Sequence, residues 1–154
     1  MTQEKETQAT QPAIQINLQY IKDMSFEAPD MPLSLLDIKS APAINVNIDL
    51  KAGKTNNEQC YTVDLTLRIQ ATNKETKKSL FLCELVYGAL TTLNVPMENR
   101  EAILMVEIPH MIFPYARAIV GNIISQAGFP SLQISPVDFA GLYRQKKAQQ
   151  ESKK

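Results

Sequence analysis

The chain has 154 residues, 44% of them apolar, and its 16 Lys and Arg balance 16 Asp and Glu. That length suits one domain with its own core, and the charge balance argues against a nonspecific nucleic-acid binder, which needs a basic excess to neutralise phosphates. The opening MTQEKETQATQPA lacks the apolar segment of a signal peptide. The longest clean apolar run, Ala102 to Val106, is far short of the roughly 20 residues of a bilayer span, so a cytosolic protein is expected.

Residues 1–12 are rich in Thr, Gln and Glu and predict a disordered tail. Ile14, Ile16, Leu18 and Tyr20 then alternate with polar residues, the period of a half-buried strand. Asp23 to Ala43 breaks the pattern with Pro29, Pro32 and Pro42 around Leu33, Leu35, Leu36 and Ile38. A connection this long is often functional, and its leucines predict a loop packed across the protein. Ile44, Val46, Ile48 and Leu50 mark a second strand. Tyr61, Val63, Leu65, Leu67 and Ile69 mark a third, with Thr62, Asp64, Thr66, Arg68 and Gln70 on its other face.

The fourth strand, within Leu80 to Leu93, is apolar on both faces: Phe81, Cys83, Leu85, Tyr87 and Ala89 on one, Leu80, Leu82, Val86 and Leu90 with Glu84 on the other. A sheet wetted on one side keeps one polar face, so this strand needs a second cover, a helix or another subunit, and a subunit is the favoured reading. Pro96 starts a helical stretch that Pro109 is expected to end, and a longer helix is expected after Pro114, with Ala116, Val120, Ile123, Ile124 and Ala127 as its stripe and Gly128 as its stop. Ser135, Pro136 and Asp138 read as N-cap, N1 and N3 of a last helix carrying Phe139, Leu142 and Tyr143. Residues 145–154 are polar and predict a fraying tail after a domain over 13–144. Strands followed by helices give an α+β class: a four-stranded antiparallel sheet packed with C-terminal helices.

Chemistry is sparse. The 5 glycines are scattered singly, so no phosphate loop is present, and the 1 histidine, His110, stands without a nucleophile motif. No cofactor or metal set is apparent, and the spacing of Cys60 and Cys83 fits no zinc or redox motif, so both read as reduced thiols. Asp23, Glu27 and Glu84 read either as ordinary surface acids or as a patch for a basic partner. The apolar surplus of Met97, Met105, Met111, Ile112, Phe113, Tyr115, Leu142 and Tyr143 reads as core or, where exposed, as an adaptable binding surface.

Four strings occur in order: YIKDMSFEAPDMP at 20–32, FLCE at 81–84, IFPYAR at 112–117 and GFPSLQISPVDFAGLY at 128–143. Together they resemble SecB, the bacterial protein-export chaperone family. The resemblance implies an ATP-independent chaperone, not an enzyme, that binds unfolded secretory preproteins and delivers them to the translocation ATPase SecA. It implies a homotetramer built as a dimer of dimers. By the same resemblance Asp23, Glu27, Leu82 and Glu84 would contact the basic zinc-binding tail of SecA, any zinc being the partner's. Cys83, Leu85 and Tyr87 would hold the two dimers together, so that a charge at Leu85 would split the tetramer. Ile44, Val46, Ile48, Leu142 and Tyr143 would line the client groove. The competing readings are an oligomeric α+β adaptor for one folded partner, and a small enzyme, for which no convergent polar constellation is found.

Overall fold

The computed structural model describes residues 10–154. The expected disordered tail falls, except for residues 10–12, outside the described residues. Those three are exposed and have no regular structure.

Four strands form one antiparallel sheet in the order β1-β4-β3-β2: β1 is Ile14–Glu27, β2 Ala43–Lys54, β3 Cys60–Thr72 and β4 Ser79–Leu93. The polar stretches 55–59 and 73–78 are the hairpin connections. In the second, the Asn73 carboxamide oxygen accepts from the amides of Glu75 and Thr76 at 2.9 and 3.2 Å, the local bonding that favours Asn in turns. β1 and β2 are the two edges, three strand spacings or about 14 Å apart. That separation is the reason the β1–β2 connection is long: residues 28–42 cross from one edge to the other. Within the crossover, α1 (Leu33–Leu36) is a single turn.

β1 runs to Glu27, seven residues beyond the Tyr20 that the alternation marks. Nor does it keep the alternation. Register shifts between Ile16 and Leu18 and between Ile21 and Asp23 each insert a residue, and a bulge moves the following side chains to the other face. Ile14 and Ile16 therefore face inward, Leu18 and Tyr20 outward, and Met24 and Phe26 inward again. Leu18 is 55% exposed as a result. At Tyr20 the ring lies over Gly88, where a Cβ would come within 2.5 Å of it.

One helical path covers the inner face of the sheet. It consists of α2 (Met97–Ala102), a π-helical turn over Ile103–Glu107 and α3 (Ile108–Gln126). Pro109 does not end a helix and Pro114 does not start one. Pro109 sits in the first turn of α3, where a missing amide costs little. It follows the wider turn, in which the Ile108 amide reaches back to the Ile103 carbonyl. Pro114 lies inside α3 on its exposed side. Ile108, Ile112, Ala116, Val120 and Ile124, spaced four apart, are buried against the sheet. The stretch Met97–Gln126 is long and apolar enough by composition to cross a membrane, and 39% of its apolar window is buried against the rest of the chain. Gly128, at φ 93°, ends α3, with the Phe129 amide on the Ile124 carbonyl.

The last helix, α4, is Phe139–Glu151. Its N-cap is Asp138 rather than Ser135: the carboxylate accepts from the Gly141 amide at 3.0 Å. Residues 135–137 are irregular, because the cap carboxylate lies next to the helix and the Ser hydroxyl does not. α4 also continues through residues 145–151, which the sequence suggested as tail. Lys146 anchors this part, its ammonium donating to the Leu50 carbonyl at 3.2 Å and lying 3.5 Å from Asp49.

The core is the inner sheet face against α3, with Val63, Leu65, Leu67, Ile69, Cys83, Leu85 and Ala89 fully buried. At one end Phe26, Phe81 and Phe129 cluster with ring centres 4.9–6.4 Å apart, which ties the end of β1 and the segment after α3 to β4.

Candidate functional sites on two faces of the sheet

The outer face carries the carboxylates. Cross-strand register sets Glu27 beside Leu82, Ser25 beside Glu84, and Asp23 beside Val86. Such neighbours have Cβ atoms about 5 Å apart. Asp23, Glu27, Leu82 and Glu84, widely separated in sequence, thus form one patch across β1 and β4. The bulge between Ile21 and Asp23 helps to make it, since it turns Asp23 outward.

Two cations border this patch, and they are held differently. Lys22 sits in the bulge, and its ammonium donates to Asp64 at 2.6 Å. That hydrogen bond and charge raise the Lys22 pKa above its ordinary value. Arg68 stands opposite Glu84 in the β3–β4 register, guanidinium to carboxylate 3.3 Å.

The inner side presents apolar surface at the β2 edge. Val46, Ile48 and Leu142 line one hollow between β2 and α4. Ile48, Leu142, Tyr143 and Met105 share a second hollow further along. Four of the five residues expected in a groove are thereby brought together. Ile44 is the exception; it lies at the start of β2 beyond both hollows, exposed. Lys147 lies over the Tyr143 ring at 5.0 Å. The Asp138 cap, the Lys146 anchor and the Phe113–Phe139 edge contact at 5.8 Å hold α4 against this edge.

More apolar surface lies along the crossover. Leu35 and Ile38 pack on the core, but Leu33 and Leu36 are 68% and 79% exposed. The loop is therefore only half packed down, as helical geometry requires: the turn that buries Ser34 points Leu33 and Leu36 to solvent. On the helix layer, Met111 and Tyr115, four apart on α3, are also exposed. Leu33 and Leu36 are functional candidates that the sequence names only as loop leucines; the signal is that four apolar residues share a segment with no strand or helix period long enough to bury them.

Cys83 and Leu85 are fully buried and Tyr87 nearly so within the single chain. They face inward with Leu67 and Leu65, beneath the chain's own helix. α3 is thus the cover of this inner face, while Leu82, Val86 and Leu90 on the outer face stay half-buried in the single chain; a contact between copies over Cys83, Leu85 and Tyr87 would pass through the helix layer. Burial, followed by the neighbouring Glu84 charge, pushes the Cys83 thiol up, which keeps it protonated and unreactive. Burial does the same to Tyr87, whose hydroxyl donates to Gln19 at 3.2 Å. Among the described residues no three His, Cys, Asp or Glu side chains come together as a metal site.

Comparison with known proteins identifies the family and the fold. The family profile described as preprotein translocase subunit SecB matches residues 7–150. Protein-export protein SecB 1 of Gluconobacter oxydans is 42% identical over 143 residues, 88% of this chain and 83% of the relative. Protein-export protein SecB of Rhodopseudomonas palustris (strain HaA2) is 41% identical over 146 residues, 93% and 90% of the two chains. Among solved structures, a SecB-like chaperone of Mycobacterium tuberculosis in complex with an antitoxin peptide superposes with a TM-score of 0.66 at 12% identity, over 81% of this chain and 91% of that one; it supports the fold. With a profile match along nearly its whole length and relatives above 40% identity, the chain belongs to the SecB family of protein-export proteins.

Proposed function

We propose that the chain is a cytosolic, ATP-independent export chaperone: it holds unfolded secretory preproteins on the apolar surface beside β2, α4 and the crossover, and presents them to SecA through the carboxylate patch on the outer sheet face. The observation that carries this reading is the separation of the two surfaces. The hollows that Val46, Ile48, Leu142 and Tyr143 line between β2 and α4 lie on the helix side, and the acidic patch lies on the other. A client and a basic partner can then be held at once.

Apolar burial is nondirectional and worth about 25 cal/mol per Å2, so such hollows accept many sequences. Met105 and the loop leucines adapt to different side chains. The edge of β2 adds backbone groups that an extended client could pair with. The work is binding and release, with no bond made or broken. Assembly as a dimer of dimers would multiply weak contacts through effective concentration. We place its dimer–dimer contact over Cys83, Leu85 and Tyr87 by way of α3, whose solvent side carries Met111 and Tyr115.

The test is light scattering after size-exclusion chromatography, with the protein alone and mixed with a urea-unfolded precursor of a secreted protein. A tetramer that takes up precursor mass supports the reading; a particle that ignores several unrelated unfolded precursors refutes it.

A further inference from the structure

The two cations bordering the outer carboxylate patch differ in how easily they can be moved. Lys22 is committed to Asp64, whose side chain is only 14% exposed and whose other oxygen is buried without a partner. Freeing Lys22 would leave a mostly buried carboxylate with no counter-charge, which is costly. Among the described residues Lys22 pairs with Asp64 and not with Asp23, its neighbour in the chain. Arg68 and Glu84, in contrast, are 52% and 39% exposed, 3.3 Å apart, and directly opposite in the register. Water can replace either partner, so this pair is cheap to open. Glu84 is the patch carboxylate on which an internal cation already sits.

We propose that Arg68 is a built-in competitor of the basic partner: it occupies Glu84 in the free chain and is displaced when a partner's cation binds there. This rests on the outer face being the SecA-binding surface. The pair would lower affinity for any segment that cannot offer a stronger ligand to Glu84 than Arg68 does. It would thus favour densely basic segments over isolated lysines.

The experiment is a titration of purified SecA against the full-length protein and its R68Q, E84Q and R68Q/E84Q variants, at low and moderate salt. An exposed pair of this kind predicts that R68Q binds roughly two- to five-fold tighter than the unaltered chain. That gain should vanish in the E84Q background, because Arg68 acts through Glu84. A variant R68Q that binds equally or more weakly overturns the inference. So does a gain that persists undiminished alongside E84Q, which would reflect net charge only. Failure of the underlying reading has a different signature: E84Q alone would bind SecA as tightly as the unaltered chain.

Discussion

Leu85 separates a core role from an interface role. It has no exposed surface within the single chain, lies opposite Leu67 on one side and Met24 on the other, and faces α3. Truncation to Ala removes a fully buried side chain and leaves a cavity, a loss of about 2–5 kcal/mol. For a chain of this size each kcal/mol lowers Tm by roughly 2–4 °C, so Leu85→Ala should melt about 4–20 °C earlier at the same protein concentration. Leu85→Asp adds a carboxylate with apolar neighbours and no counter-charge, bringing the loss above about 5 kcal/mol, within reach of the whole stability of a domain at about 5–15 kcal/mol. The charged variant should therefore lose native circular dichroism rather than yield a folded particle of half mass. Tyr115→Asp, on the exposed side of α3, should leave the subunit folded and lower the mass by light scattering. A Leu85→Asp protein with native circular dichroism and a halved mass would refute this account of β4.

Other consequences follow from the same geometry. Glu84→Lys should weaken SecA binding about ten-fold, a change of about 1.4 kcal/mol, and leave precursor binding unchanged by titration; loss of both would show that the faces are not separate. Gly141→Ala puts a Cβ into the Asp138 carboxylate and should match Asp138→Ala, each costing about 0.5–2 kcal/mol at the start of α4, read as faster amide exchange there with weaker precursor binding. Cys83 should resist a thiol reagent in the native protein while half-buried Cys60 reacts. Folding favours the protonated Cys83 thiol, so its contribution is complete below the ordinary thiol value of 9.0 and is lost as pH rises above it; Cys83→Ala should flatten the fall in urea stability across that alkaline range.

The strands β2, β3 and β4 and the stop at Gly128 were legible because each follows from a period or a helix-stop residue within a short window. β1 was legible as a strand but not in its faces, since a bulge depends on the partner strand and leaves no mark in the alternation of Leu18 and Tyr20. The proline readings at Pro109 and Pro114 misplaced the helix ends because the π turn and the exposed side of α3 absorb both rings. Ser135 looked like a cap by composition, but Asp138 is the residue whose oxygen meets a free amide. The outer patch was partly visible: Asp23, Glu27 and Glu84 are evident acids, but their meeting, and the pairing of Glu84 with Arg68, are properties of register. Cys83, Leu85 and Tyr87 could not be assigned a cover from their own strand, because apolar pattern is the same beneath a helix of the same chain and beneath a neighbour.

The central claim is that one particle holds an unfolded precursor and a basic partner on opposite sides of its sheet. The most direct test is the mass of complexes formed with urea-unfolded precursor, with SecA, and with both together, measured by light scattering. The account predicts a ternary complex whose mass is the sum of all three components, with Leu142→Asp losing only the precursor and Glu84→Lys losing only SecA. Mutual exclusion of precursor and SecA, or one substitution abolishing both, would contradict it.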